Sequence, residues 1–309
     1  MIDFEALAAD GSWQLTWSDN RLEEAVFRLS PSTAAARGAL VEQLDADAND
    51  PEQWEATLIE ALLTDPTSAG LRRLELHLKD FHHSARRAAR ALAGFRREQL
   101  TVLYFGHDFE CLFEPAPTSA GSTIDPLEWL HEGFVDDIAN NLWEALPALR
   151  ELSAEGGLLF DDIDGKALPE LTELRLRGAV FADGAVFPQQ VPSLRSLTLE
   201  FGPDVFGTVC PGEQLAALDP AGFPALRHLD LGAAEFDTDD YDTLVTLADS
   251  PLLPQLESLT LRSVYIHEHD IEGDRPAALA ALAPAFAHLT LTVADGTDDD
   301  VAALFGIAD

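Results

Sequence analysis

The sequence has 309 residues, with 19 Lys plus Arg against 55 Asp plus Glu, so its formal net charge at pH 7 is −36. This acidic excess argues against general binding to phosphate backbones, which requires basic side chains, and we expect no nucleic-acid partner. The 47% hydrophobic content excludes a disordered chain. The two cysteines, Cys111 and Cys210, stand far apart and favour neither a disulfide framework nor a metal or redox site.

The amino terminus lacks the basic and apolar stretches of a secretory signal, and no apolar run reaches the roughly 18 residues of a membrane helix. We therefore expect a cytoplasmic protein that contacts no membrane.

The first elements in chain order form a predicted amino-terminal cap, residues 1–51. Apolar side chains alternate from Trp13 to Trp17, which predicts a strand. Apolar residues from Leu22 to Leu29 follow helical spacing, which predicts a helix. Asp50 and Pro51 then form an N-cap signal and predict a helix from Trp54 to Leu63.

One phrase, Leu-x-x-Leu-x-Leu, recurs through the rest of the chain. Complete copies begin at five leucines: Leu71, Leu171, Leu194, Leu226 and Leu256. Looser copies begin at Leu100, Leu149 and Phe286. In six of these eight units a proline stands two residues before the first apolar position, where it cannot continue a helix and favours extended backbone. The pattern predicts eight short strands in similar surroundings.

This pattern resembles the leucine-rich repeat family of bacterial type, and its longer repeats resemble the ribonuclease-inhibitor-like variety. The resemblance implies an α/β solenoid of irregular repeat length, a horseshoe with a parallel concave sheet and convex helices or loops. It assigns residues 52–293 to the solenoid, with an insertion loop at Gly106–Ile124. Residues 294–309 are assigned to a carboxyl-terminal capping helix.

Helix signals lie between the predicted strands. Asp125 and Pro126 predict a helix toward Leu146, Thr238–Asp240 cap a segment over 241–247, and Thr297–Asp300 cap a final helix through Phe305. Residues 84–98 predict a helix with an apolar inward stripe. Its arginines are expected to point outward: Arg86, Arg87, Arg90 and Arg97.

The side chains between the strand leucines are the candidate binding residues. Because side chains alternate across a strand, burying the leucines places the interleaved positions on the concave surface. The candidates are Arg73, Glu75, His77, Tyr104, Glu151, Glu155, Glu173, Arg175, Arg177, Glu200, His228, Asp230 and Arg262. The fold class favours a non-enzymatic protein that binds a partner protein through this surface and the Gly106–Ile124 loop.

Acidic residues concentrate in four segments that follow strands: Asp161–Asp164, Glu235–Asp242, Glu268–Asp274 and Asp295–Asp300. Stacked repeats would align these segments into one acidic edge. An alternative function is therefore an acidic inhibitor or immunity protein that neutralises a basic enzyme, such as a nuclease, by imitating polyanion charge. Solubility, helix capping, or a GC-rich or salt-adapted source would also explain the acidity. Residues 71–99 carry a net charge of +5, so head-to-tail contact with a second copy is a further alternative.

The sequence contains no strong catalytic phrase, and we expect neither enzyme activity nor a cofactor. His267 and His269 offer two imidazoles without a third ligand at a defined spacing, so no metal site is predicted. Asp161–Asp164 with Gly165 looks like a calcium loop but lacks the downstream glutamate. A hydrolase or metal-dependent enzyme is the third class of function considered.

Overall fold

The computed structural model describes residues 13–28, 51–78, 86–107, 116–117, 123–124, 139–157, 163, 168–179, 187–188, 190–201 and 209–307. The chain divides into two compact units, residues 1–171 and 172–309. Each unit is of the α/β class, with a mostly or wholly parallel sheet and helices in the connections. The predicted boundaries of the cap, solenoid and last helix stay predictions.

The described strands of the main sheet of the amino-terminal unit are β1 (Trp13–Ser18), β2 (Arg21–Arg28), β3 (Arg73–Leu78), β4 (Val102–His107) and β7 (Glu151–Gly157). They lie side by side in this order. β1 and β2 are antiparallel, and each later neighbour pairs in parallel. A separate antiparallel pair, β5 (Ala116–Pro117) and β6 (Thr123–Ile124), lies in the predicted insertion loop.

The predicted strand over Trp13–Trp17 is confirmed, but the helix predicted from Leu22 to Leu29 is wrong because Leu22 to Arg28 belong to β2. Leu29 lies outside the described residues. Asp19 and Asn20 have positive φ angles of 49° and 60°, which suit a tight hairpin turn. The β1–β2 register shifts beside Leu22, so Leu22 and Ala25 are both buried despite their spacing of three. This irregularity in the strand imitates a helical apolar period.

The described α-helices of the amino-terminal unit are α1 (Pro51–Thr64), α2 (Arg86–Ala93) and α3 (Ala139–Glu144), and a 3₁₀ helix spans Pro66–Gly70. α1 confirms the helix predicted over 54–63, and its Leu58, Ile59 and Leu62 are fully buried. α3 lies within the predicted helix toward Leu146, whose start falls outside the described residues.

Arg97 departs from its predicted outward position. α2 ends at Ala93, so Arg97 lies in the following turn and is only 9% exposed. Its guanidinium donates to the carbonyl oxygens of Leu63 and Ser68, the latter at 3.4 Å. Burial lowers the pKa of Arg97 below its usual value. Arg87 and Arg90 are exposed on α2, as predicted, while the side chain of Arg86 lies outside the described atoms.

The described strands of the carboxyl-terminal unit are β8 (Glu173–Ala179), β9 (Ser196–Phe201), β10 (His228–Leu231), β11 (Ser258–Leu261) and β12 (Thr290–Val293). They pair in parallel in chain order. The middle leucines of four repeat phrases form one register row across β8 to β11, and all four are buried: Leu174, Leu197, Leu229 and Leu259. β12 continues this row with the buried Leu291, which is the last position of the looser copy that begins at Phe286, so that copy is out of register with the others by two residues. The repeated phrase thus specifies equivalent positions from β8 to β11.

The helices of the carboxyl-terminal unit are α4 (Gly212–Ala216), α5 (Asp240–Ala248), α6 (Arg275–Leu282) and α7 (Asp299–Phe305). α5 and α7 confirm the predicted positions. Asp239 caps α5 by accepting a hydrogen bond of 2.8 Å from the Asp242 amide. In the described residues, no helix is both long and apolar enough to cross a membrane.

Candidate functional site

The candidate residues lie on strands β3, β4, β7, β8, β9 and β10, and Arg262 directly follows β11. Burial alternates along β3, where Leu74, Leu76 and Leu78 are buried and the side chains between them are partly exposed. β9 shows the same alternation. Within each unit, the interleaved side chains of β3 and of β9 therefore lie on the sheet face opposite the leucines, as predicted.

In the amino-terminal unit, Glu75 binds two basic neighbours on its own strand. Its carboxylate accepts hydrogen bonds of 2.8 and 2.5 Å from the Arg73 guanidinium and lies 3.0 Å from Nε2 of His77. Burial by itself raises the pKa of Glu75, but the hydrogen bonds from His77 and Arg73 outweigh it and hold the pKa below its usual value. The three side chains form one ordered polar cluster.

Tyr104 continues this cluster onto the next strand. Its ring stacks on His77 with 4.0 Å between centroids and 22° between planes. The Tyr104 hydroxyl donates to the Glu155 carboxylate on β7. Glu155 is only 3% exposed, so it holds Tyr104 in place and is not itself displayed to a partner, unlike the exposed Glu151.

Gly106 makes the approach of these strands possible. It lies opposite His77 on one side and Glu155 on the other. A Cβ atom at Gly106 would overlap the backbone of Glu155. The sequence pattern assigned Gly106 only to the start of the insertion loop. The feature that could have indicated a close approach of two strands is a glycine directly after the apolar positions of a strand phrase.

In the carboxyl-terminal unit, Glu200 on β9 binds two arginines of β8. Arg175 donates to both of its oxygens at 2.8 and 2.9 Å, and Nε of Arg177 lies 3.3 Å from Oε2. The bidentate pair fixes the orientation of Arg175. Glu173 is exposed at the start of β8.

The next strands of this unit also carry side-chain hydrogen bonds. Nδ1 of His228 lies 2.9 Å from the Ser258 hydroxyl, and Thr260 bonds to Thr292 at 2.9 Å. Oδ1 of Asp230 accepts a hydrogen bond of 2.9 Å from the Gly232 amide, so this oxygen stabilises the turn that follows β10. His228 is exposed.

Arg262 forms no hydrogen bond or ion pair with the other candidate residues that the structure describes. It lies among the acidic loops that follow β10, β11 and β12. Its guanidinium pairs with Glu235 and lies 3.1 Å from Asp295. The hydrogen bond with Glu235 raises the pKa of Arg262, and Asp295 adds to this effect. Arg262 therefore joins loops of three successive repeats.

Backbone amides also connect these loops. The Tyr265 amide donates to Asp240 at 2.7 Å, and the Ile266 amide donates to Asp298 at 3.2 Å. Segments 235–242 and 295–300 are thus both bonded to the residues that precede segment 268–274. The alignment of the acidic segments into one edge stays a prediction. The segment Asp161–Asp164 lies outside the described residues, apart from Ile163.

The two imidazoles predicted as an incomplete metal site, His267 and His269, stack with 5.3 Å between centroids. Among the residues described by the structure, no group of three or more His, Cys, Asp or Glu side chains is arranged to hold a metal ion. Cys210 is buried, and burial raises the pKa of its thiol. This environment disfavours the reactive thiolate.

No protein-family model matches the sequence, and comparison with curated proteins finds no match.

Proposed function

We propose that this protein is a non-enzymatic leucine-rich repeat protein that binds a partner protein through the polar face of its parallel strands. One observation carries the proposal: the repeat phrase buries its leucines and leaves polar side chains in equivalent positions on successive strands. The regular pairing within each unit supports the horseshoe architecture of irregular repeat length. A cytoplasmic location is part of the same proposal.

The chemistry of this face suits protein recognition. Tyr and Arg are the side chains that most often dominate binding energy at protein interfaces. Tyr104 is already fixed by Glu155 and His77, and Arg175 by Glu200. A side chain that is ordered before binding loses less conformational freedom when the partner arrives. We therefore expect Tyr104, Arg175 and Arg177 to contribute most to affinity.

The experiment starts with capture of the partner from the native host, its identification, and its production as a purified protein. The dissociation constant is then measured for wild type and for variants Tyr104→Ala, Arg175→Ala/Arg177→Ala and Asp230→Ala. Loss of an interface anchor of this kind is expected to weaken binding by about tenfold or more.

The double variant Arg87→Ala/Arg90→Ala is the matched control. It removes the same charge from the exposed surface of α2, away from the strand face. Its affinity should stay close to that of wild type. Binding that is unaffected by all the strand-face substitutions would contradict the proposal.

A second candidate function is an acidic inhibitor of a basic enzyme. The acidic loops favour it, because segments 235–242, 268–274 and 295–300 contain five, four and four carboxylates. Two of these segments are bonded to the residues just before 268–274 through Asp240 and Asp298. Such a surface accelerates association with a basic protein and is strongly screened by salt. A steep loss of affinity as salt rises, together with insensitivity to Arg175→Ala/Arg177→Ala, would support this function over the first.

A further inference from the structure

Strand β1 (Trp13–Ser18) lies at the edge of the sheet in the amino-terminal unit. It pairs with β2 on one side, and in the described part of the chain no strand pairs with its other side. An edge strand presents a row of backbone N–H and C=O groups that can pair with a further strand. The sheet of this unit can therefore be extended at β1.

The apolar core face of the sheet continues onto β1 and becomes exposed there. In the β1–β2 register, Leu15 lies opposite Ala25 and Trp17 opposite Leu22. Ala25 and Leu22 are buried, whereas Trp17 is 41% exposed and Leu15 is partly exposed. Burial of apolar surface is favourable by about 25 cal/mol per Å². A strand that covers Leu15 and Trp17 would thus gain stability beyond its backbone hydrogen bonds.

β1 also lacks the features with which many proteins prevent pairing at a sheet edge. Charged side chains, proline and very short strands are common protections. β1 is six residues long and contains no charged residue and no proline, whereas four of the eight residues of β2 are charged. The residue without a β1 counterpart in the irregular register is Glu23 of β2, so the alternation of β1 stays intact.

We propose that β1 pairs with β1 of a second copy of this chain, antiparallel and about a two-fold axis at Leu15. A two-fold interface must be self-complementary, because both copies contribute the same surface. The sequence from Trp13 to Trp17 meets this condition, since it reads aromatic, polar, leucine, polar, aromatic in both directions. The axis places Leu15 opposite its own counterpart and Gln14 opposite Thr16 of the second copy, so side chains of like chemistry meet.

The charge of the molecule also favours β1 as the contact between copies. Each copy carries a formal charge of −36, so two copies repel each other wherever acidic surfaces meet. Contact through an uncharged strand places no like charges directly opposite each other. Salt screens the remaining repulsion, so this pairing should strengthen as the salt concentration rises. Head-to-tail contact of the basic segment 71–99 with an acidic surface would weaken instead, which distinguishes the two kinds of association.

Sedimentation equilibrium of the wild-type chain and of the variants Leu15→Lys and Leu15→Glu tests the proposal. We expect a wild-type dimer with a dissociation constant on the order of 10 µM, as suits a small interface. Each substitution alone should weaken dimerisation by about tenfold or more, because like charges then lie directly opposite at the axis. An equimolar mixture of the two variants should restore the dimer, since opposite charges then face each other.

Leu304→Lys and Leu304→Glu are the matched controls, because Leu304 is a 42% exposed leucine on α7, outside β1. They should leave the dissociation constant of the dimer unchanged. A wild-type chain that stays monomeric up to about 1 mM would overturn the proposal. A dimer that is insensitive to the Leu15 substitutions, weakens as salt rises, or is not restored in the mixture of variants would overturn it as well.

Hydrogen exchange followed by mass spectrometry gives a second measurement on the unmodified chain. Outward-facing amides of residues 13–18 should exchange about fivefold more slowly at about 200 µM protein than at about 2 µM, because pairing protects them. Equal rates at both concentrations would overturn the proposal. Protection that appears only with the captured partner protein would assign this edge to that partner and would also overturn it. These measurements use the chain alone, so their outcome is independent of whether the strand face binds a partner.

Discussion

Truncation of side chains along β9 tests the alternation on which the binding face depends. Leu197 is 2% exposed and packs on the core side, whereas its neighbour Thr198 is partly exposed on the opposite face. Leu197→Ala removes three carbon atoms, each worth about 0.8 kcal/mol of buried hydrocarbon. The cavity that remains adds to this loss, so we expect the free energy of unfolding to fall by about 2–5 kcal/mol.

Thr198→Ala makes a comparable truncation at the adjacent position, and we expect a change within about 0.5 kcal/mol. Both free energies are measured by urea unfolding followed by far-UV circular dichroism. The slope of the unfolding free energy against urea concentration should be the same for both variants and wild type, so that the values can be compared. Similar losses for the two variants would refute the assignment of alternate side chains to opposite faces. A Leu197→Ala protein as stable as wild type would refute it as well.

Three other substitutions probe polar groups by denaturant or thermal unfolding. Arg97→Met should lower the free energy of unfolding by about 1–3 kcal/mol, because carbonyl groups at Leu63 and Ser68 lose their donor; unchanged stability would contradict this role. Asp240→Asn should raise the melting temperature at pH 7, since a raised pKa means that the ionised carboxylate disfavours folding, and the gain should vanish in acid, below the unfolded pKa. A melting temperature of Asp240→Asn below that of wild type at pH 7 would contradict this prediction. Glu75→Gln should be less stable than wild type at neutral pH, and the difference should shrink as pH falls through the lowered pKa of Glu75. A difference that does not change with pH would exclude the ionic contribution.

The repeat phrase predicted the strands well because leucine spacing and burial are local properties. Leu197 and Leu229 occupy equivalent register positions, as their equivalent places in the phrase require. The β2 strand was missed because a register shift places Leu22 and Ala25 three residues apart on one buried side. An irregular strand and a helix then share the same apolar spacing.

The position of Arg97 and the individual bonds between the acidic loops could not be predicted from spacing. The apolar pattern of α2 continues beyond its last turn, whereas the chain leaves the helix after Ala93 and turns Arg97 inward. The bonds between the loops after β10, β11 and β12 join residues 25 and 32 apart, such as Tyr265 with Asp240 and Ile266 with Asp298. Such contacts depend on how successive repeats pack, which no single segment encodes.

We propose that side chains between the strand leucines meet the partner protein. The most direct measurement is the rate at which a maleimide labels Thr198→Cys, in a Cys111→Ser background, with and without the captured partner. Native Cys210 is buried and should react slowly. We expect the partner to slow labelling of Thr198→Cys by about tenfold, and to leave the rate unchanged at the exposed position Glu213→Cys on α4. Protection of Glu213→Cys with an unchanged rate at Thr198→Cys would contradict the account.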